Sequence, residues 1–397
     1  MKTTMREERF LAACVRPDAT LRSEVAGLVQ SRVDWRRLVT CALHHKVLPL
    51  LHQVLMRESD VVPSDVLMDL RRRNTENATR NLLFSRELMR ILRLLETKGI
   101  IAIPFKGPVL ALSAYGSLGL RQFCDLDLLV RRADAQRAGE VLRTGGYQEH
   151  KPLRPLLHPR PCAWRRRLVY PGANENSYLH AKSGIQIDLH WDLHPGFFLP
   201  ADGDQVWNRC RKAIFMGQEI TVMSPEDTII FLAIHAARDG WRTLGQFCDL
   251  AAFIRSAPVI DWRQLVNTAN LMHVHVLVML GLLVAFRHAG MPLPSGLVSR
   301  LRTPRVLAAG ADVILYELFQ PRRQHGVGFV SELVRATRMR DRWHEAIWNW
   351  LVMVRLVFTR TAEGPLRASV GTMAYLAFAT VFLTVFSFLL PWERKGR

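Results

Sequence analysis

Asp125-Leu126-Asp127 opens the apolar run Leu128-Leu129-Val130, and this hexapeptide constrains the fold more than any other stretch of the chain. Side chains alternate across a strand, so Asp125 and Asp127 share one face while Leu126, Leu128 and Val130 enter the core. Two like charges held that close require a cation, and a divalent metal with oxygen ligands is the usual one. An isolated pair of this kind also fits a solvated strand edge or turn. A second run, Gly184 to Asp192, extends the pattern: Ile187, Leu189 and Trp191 alternate with Asp188, His190 and Asp192, the period of a half-buried strand. An acidic face on a central strand is costly without a ligand. If the two strands are neighbours, Asp188 completes a three-carboxylate metal site.

The residues before the acidic pair suit an anion. Leu88, Ile91, Leu92 and Leu95 recur at helical spacing, Lys98-Gly99 ends that helix, and Ile100 to Phe105 reads as a strand. Lys106-Gly107-Pro108 then leads into a helical stretch, Val109 to Tyr115. Strand, glycine turn and helix N-terminus together present unpaired backbone N–H groups and the positive end of a helix dipole. Lys106 or Arg121 could neutralise a triphosphate bound there, Lys as a point charge and Arg by a bidentate fork.

Lys106-Gly107, Arg121, Asp125 to Val130, Gly145-Gly146-Tyr147 and Ile187 to Trp191 together resemble the uncharacterised bacterial nucleotidyltransferase family of the polymerase-beta-like superfamily. Ser224-Pro225-Glu226-Asp227, His235, Trp241, Leu244 and Cys248-Asp249-Leu250 are similar to that family's helical half. The resemblance implies an α+β fold, a small mixed β-sheet core flanked by N-terminal and C-terminal helical regions. It also implies a nucleoside triphosphate bound through two magnesium ions, with Asp125 and Asp127 holding the metals. Asp188 would be the third ligand or the base for the acceptor. Lys106, Gly107, Arg121 and His190 are the candidate nucleotide-binding residues. Gly107 stands where the superfamily carries a Gly-Ser turn, here without the serine; Gly116-Ser117 matches that dipeptide literally but follows a helical run.

At 397 residues, 49% of them hydrophobic, the chain can bury a large core and is not a disordered protein. Its formal charge of +19 suits an anionic partner such as a nucleotide, nucleic acid, a polyanionic sugar or a membrane surface, though Arg-rich composition also arises from genome bias. The six cysteines are scattered without metal spacing, as expected of packed thiols in a reducing cytoplasm, Cys124 and Cys248 among them. Met1 to Arg9 leads into a charged helix rather than an apolar core, so no signal peptide is expected. The pattern divides it into a helical region (1–80), the catalytic domain (81–222), a helical domain (223–365) and an apolar helix with a basic tail (366–397). Lys151 to Arg167 is a basic, proline-rich loop, either a flap or acceptor arm or a solvated insertion.

Several readings stay open at this level. Ala368 to Leu390 contains no charged residue, and a helix of that length spans about 34 Å at about 1.5 Å per residue. It is either an inner-membrane anchor for a cytoplasmic enzyme or a helix that docks on protein. His190 shares the Asp188 face, where it would orient a phosphate or support the ligands. His235 and Asp239, four apart on a helix, read as a hydrogen-bonded packing pair. The expected activity is nucleotidyl transfer to an acceptor that is a small molecule, a sugar or a protein rather than RNA, since no aromatic RNA-binding module is visible. The alternatives are a non-catalytic nucleotide-binding or scaffold protein at the membrane and an enzyme that adds nucleotides to RNA.

Overall fold

The two acidic runs form neighbouring strands of one five-stranded sheet. The structure, a computed structural model, describes residues 6–15, 33–149, 175–191, 203–238, 241–257, 259–272 and 274–289 with a few isolated positions beyond, all within one structural unit. The sheet comprises β1 (Ala102–Pro104), β2 (Asp125–Val130), β3 (Tyr147–Glu149), β4 (Glu175–His180) and β5 (Gln186–His190), in the order β1-β2-β5-β4-β3. β2 and β5 run parallel, and the remaining pairs are antiparallel. Eleven α-helices accompany it among the described residues, so the architecture is α+β.

Before the sheet come α1 (Arg6–Cys14), α2 (Trp35–His44), α3 (Leu48–Leu55) and the long α4 (Ser64–Glu96). Phe10, Leu11, Leu38, Leu48 and Leu51 are buried as their spacing predicts, whereas Leu43 is exposed. α4 runs unbroken through residue 80, so the edge drawn there between two regions falls within one helix. Asn77 and Asn81 are poor helix formers retained for another reason. The Asn81 side-chain amide donates to the carbonyls of Leu118 and Arg121 at 2.7 and 2.8 Å, and that of Asn77 donates to those of Gly119 and Arg121 at 3.1 Å. One helix face thereby clamps the segment that delivers Arg121 and β2.

β1 leads through Phe105 and Lys106 into α5 (Gly107–Tyr115). The strand is shorter than the apolar run: Ile101 faces solvent, while Ile100 joins the core. α6 (Ala135–Thr144) crosses from β2 to β3, as its sequence anticipates, and Gly146 turns the chain with φ +95°. Leu126, Leu128, Val130, Ile187, Leu189 and Tyr178 fill the core on one sheet face together with residues of α4 and α6. Each of those side chains contributes about 1.5–3 kcal/mol by leaving water. The opposite face is divided. Ile103, Phe105 and Leu129 pack with Val206, Met223 and Phe231, and the acids lie beyond them along the strands.

After α7 (Gly203–Arg209), a hairpin of β6 (Arg211–Phe215) and β7 (Gln218–Val222) turns at Met216 and Gly217, both at positive φ. The sequence reading had not separated this hairpin from the catalytic region. α8 (Pro225–Arg238), α9 (Leu244–Ser256), α10 (Trp262–Leu271) and α11 (His275–His288) follow. Ser224 caps α8 as its motif predicts: its hydroxyl accepts from the Asp227 N–H at 3.0 Å and donates to the Asp227 carboxylate at 2.9 Å. Arg209 then grips that carboxylate with two bonds of 2.8 Å. The His45 carbonyl accepts from the Gly245 N–H at 2.9 Å, tying the N-terminal helices to α9.

Among the described residues no helix is long and apolar enough to cross a membrane. Residues 368–390, the basic loop 151–167, Asp192 and Asp239 lie outside the described residues. Cys248 is buried, but Cys124, expected to pack, is exposed: it sits just before β2, where the chain has not yet entered the sheet.

Asn81→Ala removes two buried bonds to the segment before β2 and leaves the Leu118 carbonyl without its donor. A loss of about 2 kcal/mol in unfolding free energy is expected, measured by urea denaturation; a loss within error would contradict the clamp.

Candidate active site

Parallel pairing of β2 with β5 aligns Asp125 with Gln186 and Asp127 with Asp188. Register partners in adjacent strands share a face, and neighbouring strands lie about 4.8 Å apart, so all three aspartates project from one patch of the sheet. Their charges act on one another: burial first, then the Asp127 and Asp188 carboxylates, raise Asp125 above its usual range. Asp188 accepts a 2.9 Å bond from the Gln186 side-chain amide.

Asp127 lies deepest. Its Oδ1 receives the Lys106 ammonium at 2.9 Å and faces His190 Nε2 at 3.3 Å, whereas its Oδ2 is buried with no partner. Burial pushes this carboxyl up, but the Lys106 charge and the His190 contact outweigh it and hold the group well below the usual carboxylate range. The far side of the His190 ring, Nδ1, lies 3.1 Å from Glu175 on β4. Both ring nitrogens therefore meet carboxylate oxygens. Lys106 also meets His235 of α8, Nζ to Nε2 at 3.4 Å, and lies near the rings of Phe105 and Phe231.

Lys106 caps the N-terminus of α5, and Gly107 begins that helix with φ +54°. Only glycine adopts that backbone without strain. A Cβ there would also stand 3.4 Å from the Asp125 carbonyl, so the turn lies directly against the acidic strand. Gly116, the competing Gly-Ser turn, instead ends α5 in a left-handed cap. The α5 first turn presents amides without intrahelical acceptors, beside the carboxylates.

Arg121 is placed differently from Lys106. Its guanidinium makes two bonds to Asp249 of α9, at 3.0 and 2.9 Å, and reaches the Gly107 carbonyl at 3.4 Å. The Tyr115 hydroxyl donates to the same Asp249 at 2.8 Å. Arg121 thus braces the turn from behind.

The structure brings together Asp125, Asp127, Asp188, Lys106, Gly107 and His190. It adds Glu175, His235 and Asp249, whose places the sequence reading missed. Alternation carried back along β4 from Ser177 puts Glu175 on the acidic face, and that was the available signal. No local pattern could pair His235 with Lys106, 129 residues away, or Asp249 with Arg121, 128 residues away. His235 meets Lys106 at the site; Asp239, expected to pair with it, lies outside the described residues.

Whether these residues suit a divalent cation can be judged from their donors. Carboxylate oxygens are the ligands that magnesium takes, and the partnerless Oδ2 of Asp127 is the atom such an ion would complete. Among the described residues no group of three or more His, Cys, Asp or Glu side chains is arranged to hold a metal ion; Lys106 and Gln186 engage two of the carboxylates.

A family model described as uncharacterised nucleotidyltransferase matches residues 31–290, more than half of the chain. No curated protein and no solved structure matches it.

Two predictions follow the charges. Because Asp125 is raised in the folded protein, its ionised form costs stability at neutral pH. That cost disappears as pH falls through the raised value toward the unfolded one of about 3.9. Asp125→Asn should therefore increase the urea midpoint at neutral pH, with the gain shrinking on acidification; an unchanged or lower neutral midpoint contradicts the repulsion. For the brace, Arg121→Met should cost about 3–5 kcal/mol by leaving Asp249 buried and unpaired, and Asp249→Leu added to it should restore much of the loss. Additive losses in the double variant would count against the pair.

Proposed function

Since the chain belongs to the uncharacterised nucleotidyltransferase family, we propose that the patch on β2 and β5 is its catalytic centre, of the polymerase-beta-like kind. The proposed reaction moves a nucleoside monophosphate from a nucleoside triphosphate to an acceptor. The observation that carries this reading is the Asp127–Asp188 register beside Lys106 and the α5 N-terminus. It sets metal-type ligands next to an anion-binding turn.

In this reading Asp125, Asp127 and Asp188 hold two magnesium ions, with Asp188 completing the ligand set or taking the acceptor proton. The ions supply charge neutralisation at the reacting phosphate when bound. The rest falls to the chain. The α5 first-turn amides and Lys106 bind the phosphates, and Gly107 lets the backbone approach them. His190, held from behind by Glu175, fixes the orientation of Asp127. Arg121, anchored on Asp249, keeps the Gly107 carbonyl turned away from the phosphates. The acceptor oxygen attacks the alpha-phosphorus in line; the new P–O bond forms as the bond to the beta-phosphate breaks, and pyrophosphate leaves. Positioning and charge neutralisation supply most of the rate in such chemistry.

A small molecule, sugar or protein is the favoured acceptor. One observation supports a second reading, nucleotide binding without turnover: Asp127 already has a counter-ion in Lys106. Transfer of label from an alpha-labelled triphosphate to acceptors in cell extract, with magnesium, separates the two. Asp127→Asn should lower that transfer by about 10²–10³-fold with an unchanged far-UV circular dichroism spectrum. Transfer at the wild-type rate in this variant overturns the assignment; magnesium-dependent binding with no transfer by the wild type selects the second reading.

A further inference from the structure

Two cations border the acidic patch, and they are held in opposite ways. Arg121 is fixed by two bonds to Asp249 and one to the Gly107 carbonyl. Lys106 is a flexible four-carbon chain ending in a compact charge. Its ammonium sits between the Asp127 carboxylate, 2.9 Å away, and His235. It is also the residue that caps α5, so the same side chain starts from the edge of the anion-binding turn. Asp127 Oδ1 meets that ammonium at 2.9 Å and the His190 ring at 3.3 Å, while Oδ2 has no partner. Of the two contacts, the one from the flexible Lys106 side chain can be given up.

We propose that Lys106 is an exchangeable counter-ion: it neutralises Asp127 while the cleft is empty and passes to the phosphates when a nucleotide binds, releasing Asp127 to a divalent cation. The inference rests on the metal-site reading of the three aspartates. Its physical basis is competition for one carboxylate. A cation arriving alone must displace a buried ammonium from the carboxylate that it neutralises. A triphosphate at the α5 N-terminus supplies the replacement anion. Nucleotide and divalent cation therefore favour each other's binding through the protein, beyond the chelation they show in water, and linkage makes the effect reciprocal. The device keeps Asp127 neutralised without nucleotide and keeps metal affinity low until substrate arrives.

The test is binding of Mn²⁺ alone, followed by the electron paramagnetic resonance signal of the free ion, with the full chain and no nucleotide. Lys106→Met should bind Mn²⁺ about tenfold more tightly than the wild type, and Lys106→Arg, which keeps the charge, should bind it as weakly as the wild type does. A Lys106 that only contacts phosphate, or only packs, predicts no gain in either variant. Should Lys106→Met not fold, Lys106→Gln makes the same comparison. Mn²⁺ binding that requires Asp127 but is no tighter without the ammonium overturns the exchange alone. Mn²⁺ binding that is undiminished in Asp127→Asn overturns the metal-site reading beneath it.

Discussion

A carboxylate enclosed as deeply as that of Asp127 persists in ionised form because the Lys106 ammonium lies 2.9 Å from it and the His190 ring 3.3 Å from the same oxygen. Burial alone would drive that group toward its neutral form. The surrounding architecture can be followed outward from this balance. Lys106 is where it is because β1 ends against β2 and α5 begins at once. His190 is where it is because β5 runs parallel to β2, with Glu175 on β4 facing its other nitrogen. Three strands and one helix terminus thus converge on one oxygen atom.

The acidic face is supported by elements that carry no chemistry themselves. Asn77 and Asn81 sacrifice helix propensity on α4 to hold the segment before β2. Arg121, Asp249 and Tyr115 join that segment to α5 and α9 through a buried ion pair. A buried pair of this kind adds little net stability compared with an apolar replacement; its value lies in fixing where the Gly107 turn stands. Asp125 is the opposite case, a carboxylate raised first by burial and then by its acidic neighbours, where stability is given up for a concentration of negative charge.

Much of the core fold was legible from local pattern. Period-two alternation located β2 and β5, helical spacing located the end of α4, and Gly107 marked a turn that the structure places at positive φ. The pattern was less informative where burial is uneven. Ile100 to Phe105 is uniformly apolar, yet only Ala102–Pro104 pairs as strand, since a short run of that kind does not record which residues reach a partner. The β6–β7 hairpin escaped notice because its outward residues, Ile214 and Met216, are apolar and exposed, which blurs the alternation. The edge placed near residue 80 falls inside α4, which runs from Ser64 to Glu96.

What the amino-acid sequence determined by itself was which residues could share a face. Alternation in a strand and the left-handed tolerance of glycine are local properties, so Asp125 with Asp127, Asp188 with His190, and the Gly107 turn follow from the chain order alone. What only the tertiary structure decided was which faces meet. Pairing β2 with β5 in register, turning His235 toward Lys106, and committing Arg121 to Asp249 rather than to the open side of the turn all depend on contacts between residues more than a hundred positions apart or on sheet order. Such contacts are set by the packing of whole elements, and for that reason two basic residues that look alike in sequence hold different carboxylates, Lys106 that of Asp127 and Arg121 that of Asp249.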